Sequence, residues 1–217
     1  MSLPPGELSC GPVRCAWRAH RAGTPAEPLV RAWLATLQDA PAGDVPIHRD
    51  ARGRPMLALP VAGAAGDRRG VRHDLNWSHS GDGLIVALAH EARVGVDLEL
   101  LRPRPRAASL ARRFFTAHEA DSLAAWPVAT REAAFVRLWC AKEALLKASG
   151  HGLSFGLHRL GFTAAADGGW TLVECDPALG AVPDWHLHAF APAPGYLATV
   201  AWRPLPDGAP PTSTMPR

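Results

Sequence analysis

The sequence predicts an α+β fold, because helical and strand-like patterns occur together in each half of the chain. The helical patterns in each half are followed by short apolar or alternating runs that are typical of antiparallel strands. An arginine- and proline-rich segment over 102–106 separates the two halves. We therefore expect two pseudo-symmetric lobes over 1–101 and 106–203, each a small antiparallel sheet packed with helices. The proline-rich residues 204–217 are predicted to form a disordered tail.

The first half is predicted to begin with a strand and a helix. Residues 11–20 alternate loosely, as a strand does, whereas Glu27–Gln38 carries apolar residues at helical spacing. A short strand pair is expected over 46–59, followed by a glycine-rich loop over 63–70. From His73 to Leu100 the pattern then predicts an antiparallel meander of three strands.

The second half is predicted to open with three helices. A short helix over 107–115 is followed by Thr116, a candidate N-cap with Glu119 at the spacing of a capping box. Thr130 is the candidate N-cap of a long helix over 131–148, which Gly150 closes. Strand-like runs follow over 158–163, 170–175, 185–190 and 196–202.

Composition excludes several classes of protein. Apolar residues make up 47% and charged residues 20% of 217, an ordinary globular balance, and a net charge of +3 is too small to indicate a nucleic-acid partner. We expect no membrane span, because no apolar run is long enough, and no signal peptide at the N-terminus. The four cysteines lack paired metal-ligand spacing, so we interpret them as reduced thiols of a cytoplasmic protein.

The lysines are confined to one short segment. Of 23 basic residues, 21 are arginines, and the two lysines are Lys142 and Lys147. This placement suggests a site that uses a compact ammonium group on a flexible stem. Chance placement of two residues is the alternative.

An acid pair lies in Gly-Val-Asp-Leu-Glu at 95–99. On a strand, Asp97 and Glu99 point to one face, while Val96 and Leu98 point to the other. Two neighbouring carboxylates repel each other unless a cation lies between them, and oxygen ligands at this spacing suit Mg²⁺. An edge strand with ordinary surface acids is the alternative.

A second acid lies on the long helix. Glu143 and Lys147 are four residues apart, so they share a helical face beside an apolar stripe that includes Trp139. Such pairs are also common on exposed helices, where they stabilise the helix by roughly 0.3–0.5 kcal/mol. The neighbouring stripe favours a half-buried position.

Two further segments carry groups suited to phosphate. Ser78 and His79 precede a glycine-containing turn, and no Gly-x-Ser-x-Gly elbow surrounds the serine. Arg49, Arg52 and Arg54 supply three guanidinium groups near a turn. Either segment could instead be a polar loop.

Taken in order, these segments resemble the 4′-phosphopantetheinyl transferases of the surfactin-synthetase type. Gly-Arg-Pro at 53–55 is similar to the family's Gly-Lys-Pro, and Asn-Trp-Ser-His-Ser at 76–80 to its Asn-x-Ser-His-Ser. Residues 95–99, and Trp-Cys-Ala-Lys-Glu-Ala at 139–144 continuing to Lys147, match its two most specific motifs.

The resemblance implies a two-lobed α+β fold that binds coenzyme A between its lobes. It implies that Asp97, Glu99 and Glu143 hold Mg²⁺ against the pyrophosphate, and that Lys147 binds a pyrophosphate oxygen. It also implies that Ser78 and His79 contact the 3′-phosphate, and that Arg49, Arg52 and Arg54 lie along the adenosine.

The implied reaction transfers 4′-phosphopantetheine from coenzyme A to a serine of an apo acyl or peptidyl carrier protein. Glu143 is the first choice for the general base, with Lys147 as the other catalytic residue. The partners are then coenzyme A and the carrier, with no nucleic acid or membrane, and a monomer suffices. Two alternatives remain open: a non-catalytic coenzyme A-binding protein, and a Mg²⁺-dependent hydrolase that cleaves pyrophosphate.

The chain departs from the family in its first connection. The stretch from Ala19 to Glu27 is shorter than the family's usual link between the first strand and the first helix. Arg14, Arg18 and Arg21 are candidate substitutes for the basic residues that grip the nucleotide there.

Overall fold

The structure is a computed structural model that describes residues 3–39, 41–57, 72–165 and 168–206. It confirms an α+β fold of small antiparallel sheets packed with helices. The glycine-rich loop predicted over 63–70 lies outside the described residues, as does the predicted tail beyond residue 206.

The first half contains a four-stranded antiparallel sheet in the order β1-β2-β6-β5. Its strands are β1 (Gly6–Cys10), β2 (Val13–Ala19), β5 (His73–Ser80) and β6 (Gly83–His90), and a separate pair is formed by β3 (Ile47–Arg49) and β4 (Pro55–Leu57). Helix α1 (Glu27–Gln38) has the predicted bounds and buries Val30, Trp33 and Leu34. Strand β1 was not predicted, because its five residues include three polar or glycine positions and give no apolar run.

The described part of the second half contains three α-helices and two small sheets, one of which includes a strand from the first half. The helices are α2 (Ala107–Phe114), α3 (Ala117–Ala125) and α4 (Val128–Ser149). One sheet has the order β10-β11-β7, and the other is the pair β8-β9. The strands are β7 (Ala92–Leu100), β8 (Leu160–Ala164), β9 (Trp170–Cys175), β10 (His186–Phe190) and β11 (Tyr196–Pro204).

The predicted three-strand meander is wrong in its third strand. Strands β5 and β6 pair as expected, but β7 pairs antiparallel with β11 over its whole length, from Ala92↔Pro204 to Leu100↔Tyr196. Residues 94–98 of β7 are buried on both faces, so their pattern does not reveal which neighbour the strand takes. The first half thereby supplies one strand to a sheet of the second half.

Strands β5 and β7 are joined by side chains. The Asp74 carboxylate accepts a hydrogen bond from Val94 N at 2.8 Å, and the Asn76 Oδ1 accepts one from Val96 N at 3.0 Å. Ser80 Oγ similarly accepts from Leu100 N at 3.1 Å. These alternate residues of β5, together with Ser78, form a polar seam that links the two main sheets.

Two of the three predicted helix ends are confirmed. Thr116 caps α3 in a full capping box with Glu119, and α4 ends at Gly150, which has φ of +76°. The Thr130 cap is wrong, because α4 starts at Val128 and the N-cap position is Pro127. Thr130 Oγ1 instead donates to Pro127 O at 3.3 Å, inside the first turn.

Lys142 lies in the core of the second half and not in a site. Its side chain is fully buried and its Nζ lies 2.7 Å from Glu119 Oε2. The same Nζ donates to Leu157 O at 2.9 Å and to Leu160 O at 2.6 Å. Burial lowers the pKa of Lys142 to about 8, and Glu119 opposes that shift. The interpretation of both lysines as site residues is therefore wrong for Lys142.

Helix α4 contacts the backbone of β7 at Gly95. A Cβ atom on Gly95 would lie 2.1 Å from Ala144 O and 2.3 Å from Ala148 N. Both neighbours are backbone atoms of a buried helix, so neither can move aside alone. Glycine at this position lets the helix approach the strand closely.

All four cysteines are free thiols, as predicted. None of the helices in the described ranges is long and apolar enough to cross a membrane.

We expect Gly95→Ala to destabilise the protein, because the added methyl group must push α4 away from β7. Overpacking of this kind costs ~1–3 kcal/mol, and the backbone contact favours the upper end. Urea unfolding measures the change. Gly43→Ala is the matched control, since a Cβ on Gly43 meets nothing within 4 Å. Equal stability of the two variants would contradict the close-contact argument.

Lys142→Met should destabilise the protein by ~3–5 kcal/mol, because it leaves the buried Glu119 without its cation. The other lysine provides the comparison: the Lys147 side chain is 27% exposed, so Lys147→Met should lower the unfolding free energy less. Chemical denaturation of the three proteins measures both effects. If Lys142→Met is as stable as the wild type, the buried pair has no structural role.

Candidate functional site

Two cavities meet at Lys147, which lines both of them. The larger has a volume of about 730 Å³, and the smaller about 410 Å³. The larger is lined by Arg52, Gly53, Arg54, Pro55, Asn76, Leu146, Lys147, Gly150, His151, Gly152, Ser154 and Phe155. The smaller is lined by Trp77, Ser78, His79, Asp97, Glu99, Trp139, Glu143 and Lys147.

The smaller cavity brings together the acid pair and the helical pair. Alternation along β7 directs Asp97 and Glu99 into this cavity, while Val96 and Leu98 pack into the core with Tyr196. Glu143 and Lys147, one turn apart on α4, complete it from the other side. The predicted shared faces are thus confirmed on both elements.

Lys147 links helix and strand directly. Its Nζ lies 2.7 Å from Asp97 Oδ1 and donates to Ser78 Oγ at 3.0 Å and to Val96 O at 3.2 Å. Ser78 Oγ in turn donates to Asp97 Oδ1 at 2.9 Å. One ammonium group is therefore bonded to both strands of the polar seam.

Glu99 is paired with an arginine that the sequence pattern did not assign to the site. Arg104 Nη2 donates to Glu99 Oε2 at 2.6 Å, and Ser80 Oγ donates to the same oxygen at 3.0 Å. The Arg104 side chain is 21% exposed. Nothing local distinguishes Arg104 from its neighbours Arg102 and Arg106, which are exposed.

Glu143 has the most perturbed carboxyl group of the cavity. Burial, together with the charges of Asp97 and Glu99, raises the pKa of Glu143 to about 7, against the lowering effect of Lys147. A carboxyl group poised near neutrality can accept or hold a proton at working pH.

The cavity fits a hard divalent cation in its chemistry. Within the described ranges, no three His, Cys, Asp or Glu side chains are already arranged as a metal-binding group, and Lys147 and Arg104 hold Asp97 and Glu99 instead. However, the Asp97 Oδ2 atom is buried and has no hydrogen-bond partner among the described residues. An unpaired oxygen beside two further carboxylates suits Mg²⁺.

The three candidate arginines have different surroundings. Arg54 is buried, forms a salt bridge with Asp74 and donates to Lys147 O, so it clamps the 50–54 turn onto α4. Arg52 is exposed and lines the larger cavity. Arg49 does not line either cavity; its guanidinium group stacks over Trp77 at 5.2 Å from the ring centre.

Ser78 and His79 both line the smaller cavity, but they differ in exposure. Ser78 is buried and its hydroxyl is bonded to Asp97, whereas His79 is exposed. The His79 ring lies 5.2 Å from that of His20, a buried histidine whose Nε2 is 3.0 Å from Thr24 O. No sequence pattern singles out His20, because it lies alone at the end of β2.

The three arginines that were expected to compensate for the shortened connection do not lie at the site. Arg14 forms a salt bridge with Glu7 at 2.7 Å, and Arg18 also lowers the pKa of that carboxyl group. Arg21 is exposed. None of the three lines either cavity, so the described structure does not bring them to the site.

Comparison with known proteins gives a consistent result. Residues 93–201 match the family model described as the 4′-phosphopantetheinyl transferase superfamily. The 4′-phosphopantetheinyl transferase HetI of Nostoc is 32% identical over 81% of this chain and 70% of its own length. The 4′-phosphopantetheinyl transferase psf-1 of Bacillus pumilus is 32% identical over 67% of this chain and 57% of its own length.

A putative 4′-phosphopantetheinyl transferase of Synechocystis is 41% identical over a shorter stretch, 39% of this chain and 35% of its own length. The chain thus spans between 35% and 70% of the length of these three relatives. The matched region contains both strand acids, Glu143 and Lys147. On these grounds the chain belongs to the 4′-phosphopantetheinyl transferase superfamily.

Proposed function

We propose that this protein transfers the 4′-phosphopantetheine group of coenzyme A to a serine of an apo acyl or peptidyl carrier protein. The observation that carries the proposal is the convergence of three carboxylates and one ammonium group, from β7 and α4, on a cavity of about 410 Å³. That cavity adjoins, through Lys147, a second one of about 730 Å³ that is large enough for a nucleotide. Family membership and the local chemistry agree on this reaction.

Coenzyme A is proposed to lie across the two cavities. The larger cavity offers the paired rings of His151 and Phe155, whose centres are 4.6 Å apart, as an apolar wall for adenine. Lys147 at the junction supplies positive charge for the pyrophosphate. Ser78 and His79 are assigned to the 3′-phosphate, and Arg52 and Arg54, which line the larger cavity, to the adenosine side. Arg49, predicted for the same role, lines neither cavity and is not assigned a contact.

The acids are proposed to hold a magnesium ion. Asp97, Glu99 and Glu143 would be its protein ligands, and when bound it would offset the charge that develops on the leaving phosphate. Lys147 contributes positive charge at the same end of the diphosphate. The present partners of Asp97 and Glu99, Lys147 and Arg104, must then share those carboxylates with the ion.

The reaction requires one proton transfer at the carrier serine. The serine oxygen forms a bond to the β-phosphorus, the bond from that phosphorus to the bridging oxygen breaks, and adenosine 3′,5′-bisphosphate leaves. Glu143 is assigned as the general base that accepts the serine proton, directly or through a water molecule. Without the ion, its burial and the neighbouring carboxylates hold its pKa at about 7. A bound Mg²⁺ would lower this pKa, because it favours the ionised carboxylate that can accept a proton.

The carrier is proposed to dock near the 102–113 segment. Arg102, Arg106, Arg112 and Arg113 are exposed there and can meet an acidic partner. Arg104, in the middle of this group, points instead to Glu99. The surface that would receive the carrier is thus connected to a site carboxylate.

The division into two lobes and the oligomeric state are also part of this proposal. We assign two similar lobes with a boundary over 101–106, acting as a monomer. The four free cysteines agree with a reducing, cytoplasmic location.

Two other functions remain as alternatives. A non-catalytic coenzyme A-binding protein would need no proton acceptor, whereas Glu143 has a strongly perturbed carboxyl group. A hydrolase would release phosphopantetheine without a carrier. Incubation with coenzyme A and Mg²⁺, with and without an apo carrier, separates the three outcomes by intact mass.

Glu143→Gln should abolish transfer of the phosphopantetheine arm, because the amide cannot accept the serine proton. The expected loss of turnover is ~10²–10⁴-fold, the usual contribution of a general base. Glu174→Gln, at an exposed position of β9, is the control and should retain full activity. Turnover is followed by the mass increase of an apo carrier; near-normal turnover would remove Glu143 from this role.

The Michaelis constant for the carrier should rise with ionic strength, because salt screens exposed charges beyond a distance of about 8–10 Å. Arg106→Gln and Arg112→Gln should raise the same constant at low salt and reduce its dependence on salt. Arg14→Gln, at an exposed position outside this segment, should change neither. A Michaelis constant independent of salt in the wild type would refute electrostatic docking.

A further inference from the structure

A third cavity lies at the C-terminal end of α4 and carries four arginines. It has a volume of about 320 Å³, and its charged lining residues are Asp50, Arg52, Arg54, Arg93 and Arg203. It shares Arg52 and Arg54 with the larger cavity, but its lining includes none of the site carboxylates and not Lys147. The proposed transfer reaction therefore gives no role to Arg93 or Arg203.

Two of these arginines stand directly opposite each other in a sheet. Arg93 of β7 and Arg203 of β11 are cross-strand partners. Like charges at such positions are destabilising. Burial lowers the pKa of Arg93, and the charges of Arg54 and Arg203 lower it further, against the opposing effect of Asp74. The protein thus concentrates positive charge at a place where the fold does not require it.

The neighbouring acids do not neutralise this charge. Asp74 forms its salt bridge with Arg54, and Arg93 Nη1 lies 3.8 Å from the other Asp74 oxygen. Asp50 Oδ1 accepts hydrogen bonds from the backbone N–H groups of Arg52 and Arg54. Four guanidinium groups against these two carboxylates leave an excess of two positive charges.

The C-terminal end of α4 does not neutralise the excess positive charge either. Arg54 donates to Lys147 O and Arg52 to Gly150 O, so two of the carbonyl groups that would repel an anion at this end of α4 are already bonded. The Nε of Arg54 is buried and has no partner among the described residues. Arg203 donates one N–H to Leu179 O, and its guanidinium lies 5.2 Å from the centre of the Trp185 ring. These contacts fix the group, and its other donors form no hydrogen bond with the described residues.

We propose that this cavity binds a dianionic phosphate group, held by Arg52, Arg93 and Arg203. Guanidinium groups present planar pairs of N–H donors that match phosphate oxygens, and a dianion balances an excess of two positive charges. The bound group joins the 50–54 turn, β7 and β11 at the end of α4. It therefore stabilises the contact between the two halves of the chain, independently of the transferase function.

The test uses inorganic phosphate as the probe and the full chain. Isothermal titration and thermal unfolding are measured in phosphate and in chloride at equal ionic strength. We expect phosphate to bind and to raise the melting temperature relative to chloride. Arg93→Gln and Arg203→Gln should each weaken binding at least tenfold, and Arg93→Lys, which keeps the charge but loses the fork, should weaken it less. Circular dichroism confirms that each variant is folded.

Two control variants test whether phosphate binds in this third cavity or elsewhere on the protein. Lys147→Met removes the cation of the proposed reaction site and should leave phosphate binding unchanged, as should Arg14→Gln, whose side chain lines none of the three cavities. If phosphate binding is lost in Lys147→Met but kept in Arg93→Gln, the anion binds at the reaction site and the proposal is wrong. Equal melting temperatures in phosphate and chloride would also overturn it.

A second probe distinguishes the source of the phosphate. Adenosine 3′,5′-bisphosphate is titrated into the wild type and Arg93→Gln. If only the nucleotide binds, and Arg93→Gln weakens it, the cavity is an extension of the nucleotide cleft and the separate site does not exist. If inorganic phosphate binds with the stated arginine dependence, the proposal stands, whether or not the transferase assignment does.

Discussion

The backbone contact between Gly95 and helix α4 determines the geometry of the whole site. Because no side chain fits between Gly95 and the backbone of Ala144 and Ala148, strand and helix lie closer than side-chain packing allows. Asp97, two residues along β7, is directed to the same face as Gly95 and meets Lys147 at 2.7 Å. The cavity thus depends on the absence of a side-chain methyl group at Gly95. Strand β7 and helix α4 each carry only part of the lining, so they must lie close together to complete it.

The polar seam shows that one motif can carry fold and chemistry together. In the segment 76–80, Asn76 and Ser80 accept hydrogen bonds from the backbone of β7, and Ser78 holds both Asp97 and Lys147. On one side, β7 forms a main-chain hydrogen-bond ladder with β11. On the side that faces β5, these side chains take the place of such a ladder. The exposed His79 is the member of the segment that remains free of this structural task. Loss of a seam residue would therefore disturb the position of the site acids as well as stability.

Local signals in the sequence were sufficient to predict the helices and strands, but not to predict which of them pair or pack together. Periodicity gave the bounds of α1 and the shared face of Asp97 and Glu99, and the capping box at Thr116 followed from residue spacing alone. The pairing of β7 with β11 joins residues about a hundred positions apart, and no local pattern encodes it. For the same reason the sequence could not separate Lys142, which enters the core, from Lys147. Arg104 lies only five residues from Glu99, but nothing in the local pattern distinguishes it from Arg102 and Arg106.

The buried pair of Lys142 and Glu119 gives the site its second constraint. Lys142 and Glu143 are consecutive on α4, so their side chains point about 100° apart around the helix axis. Lys142 is fixed in the core by Glu119 and two carbonyl groups, and this contact sets the rotation of the helix. Glu143 must then face β7, where burial and two carboxylates raise its pKa to about 7. A buried ion pair adds little net stability on its own, but here it specifies which face of α4 meets the acids of β7.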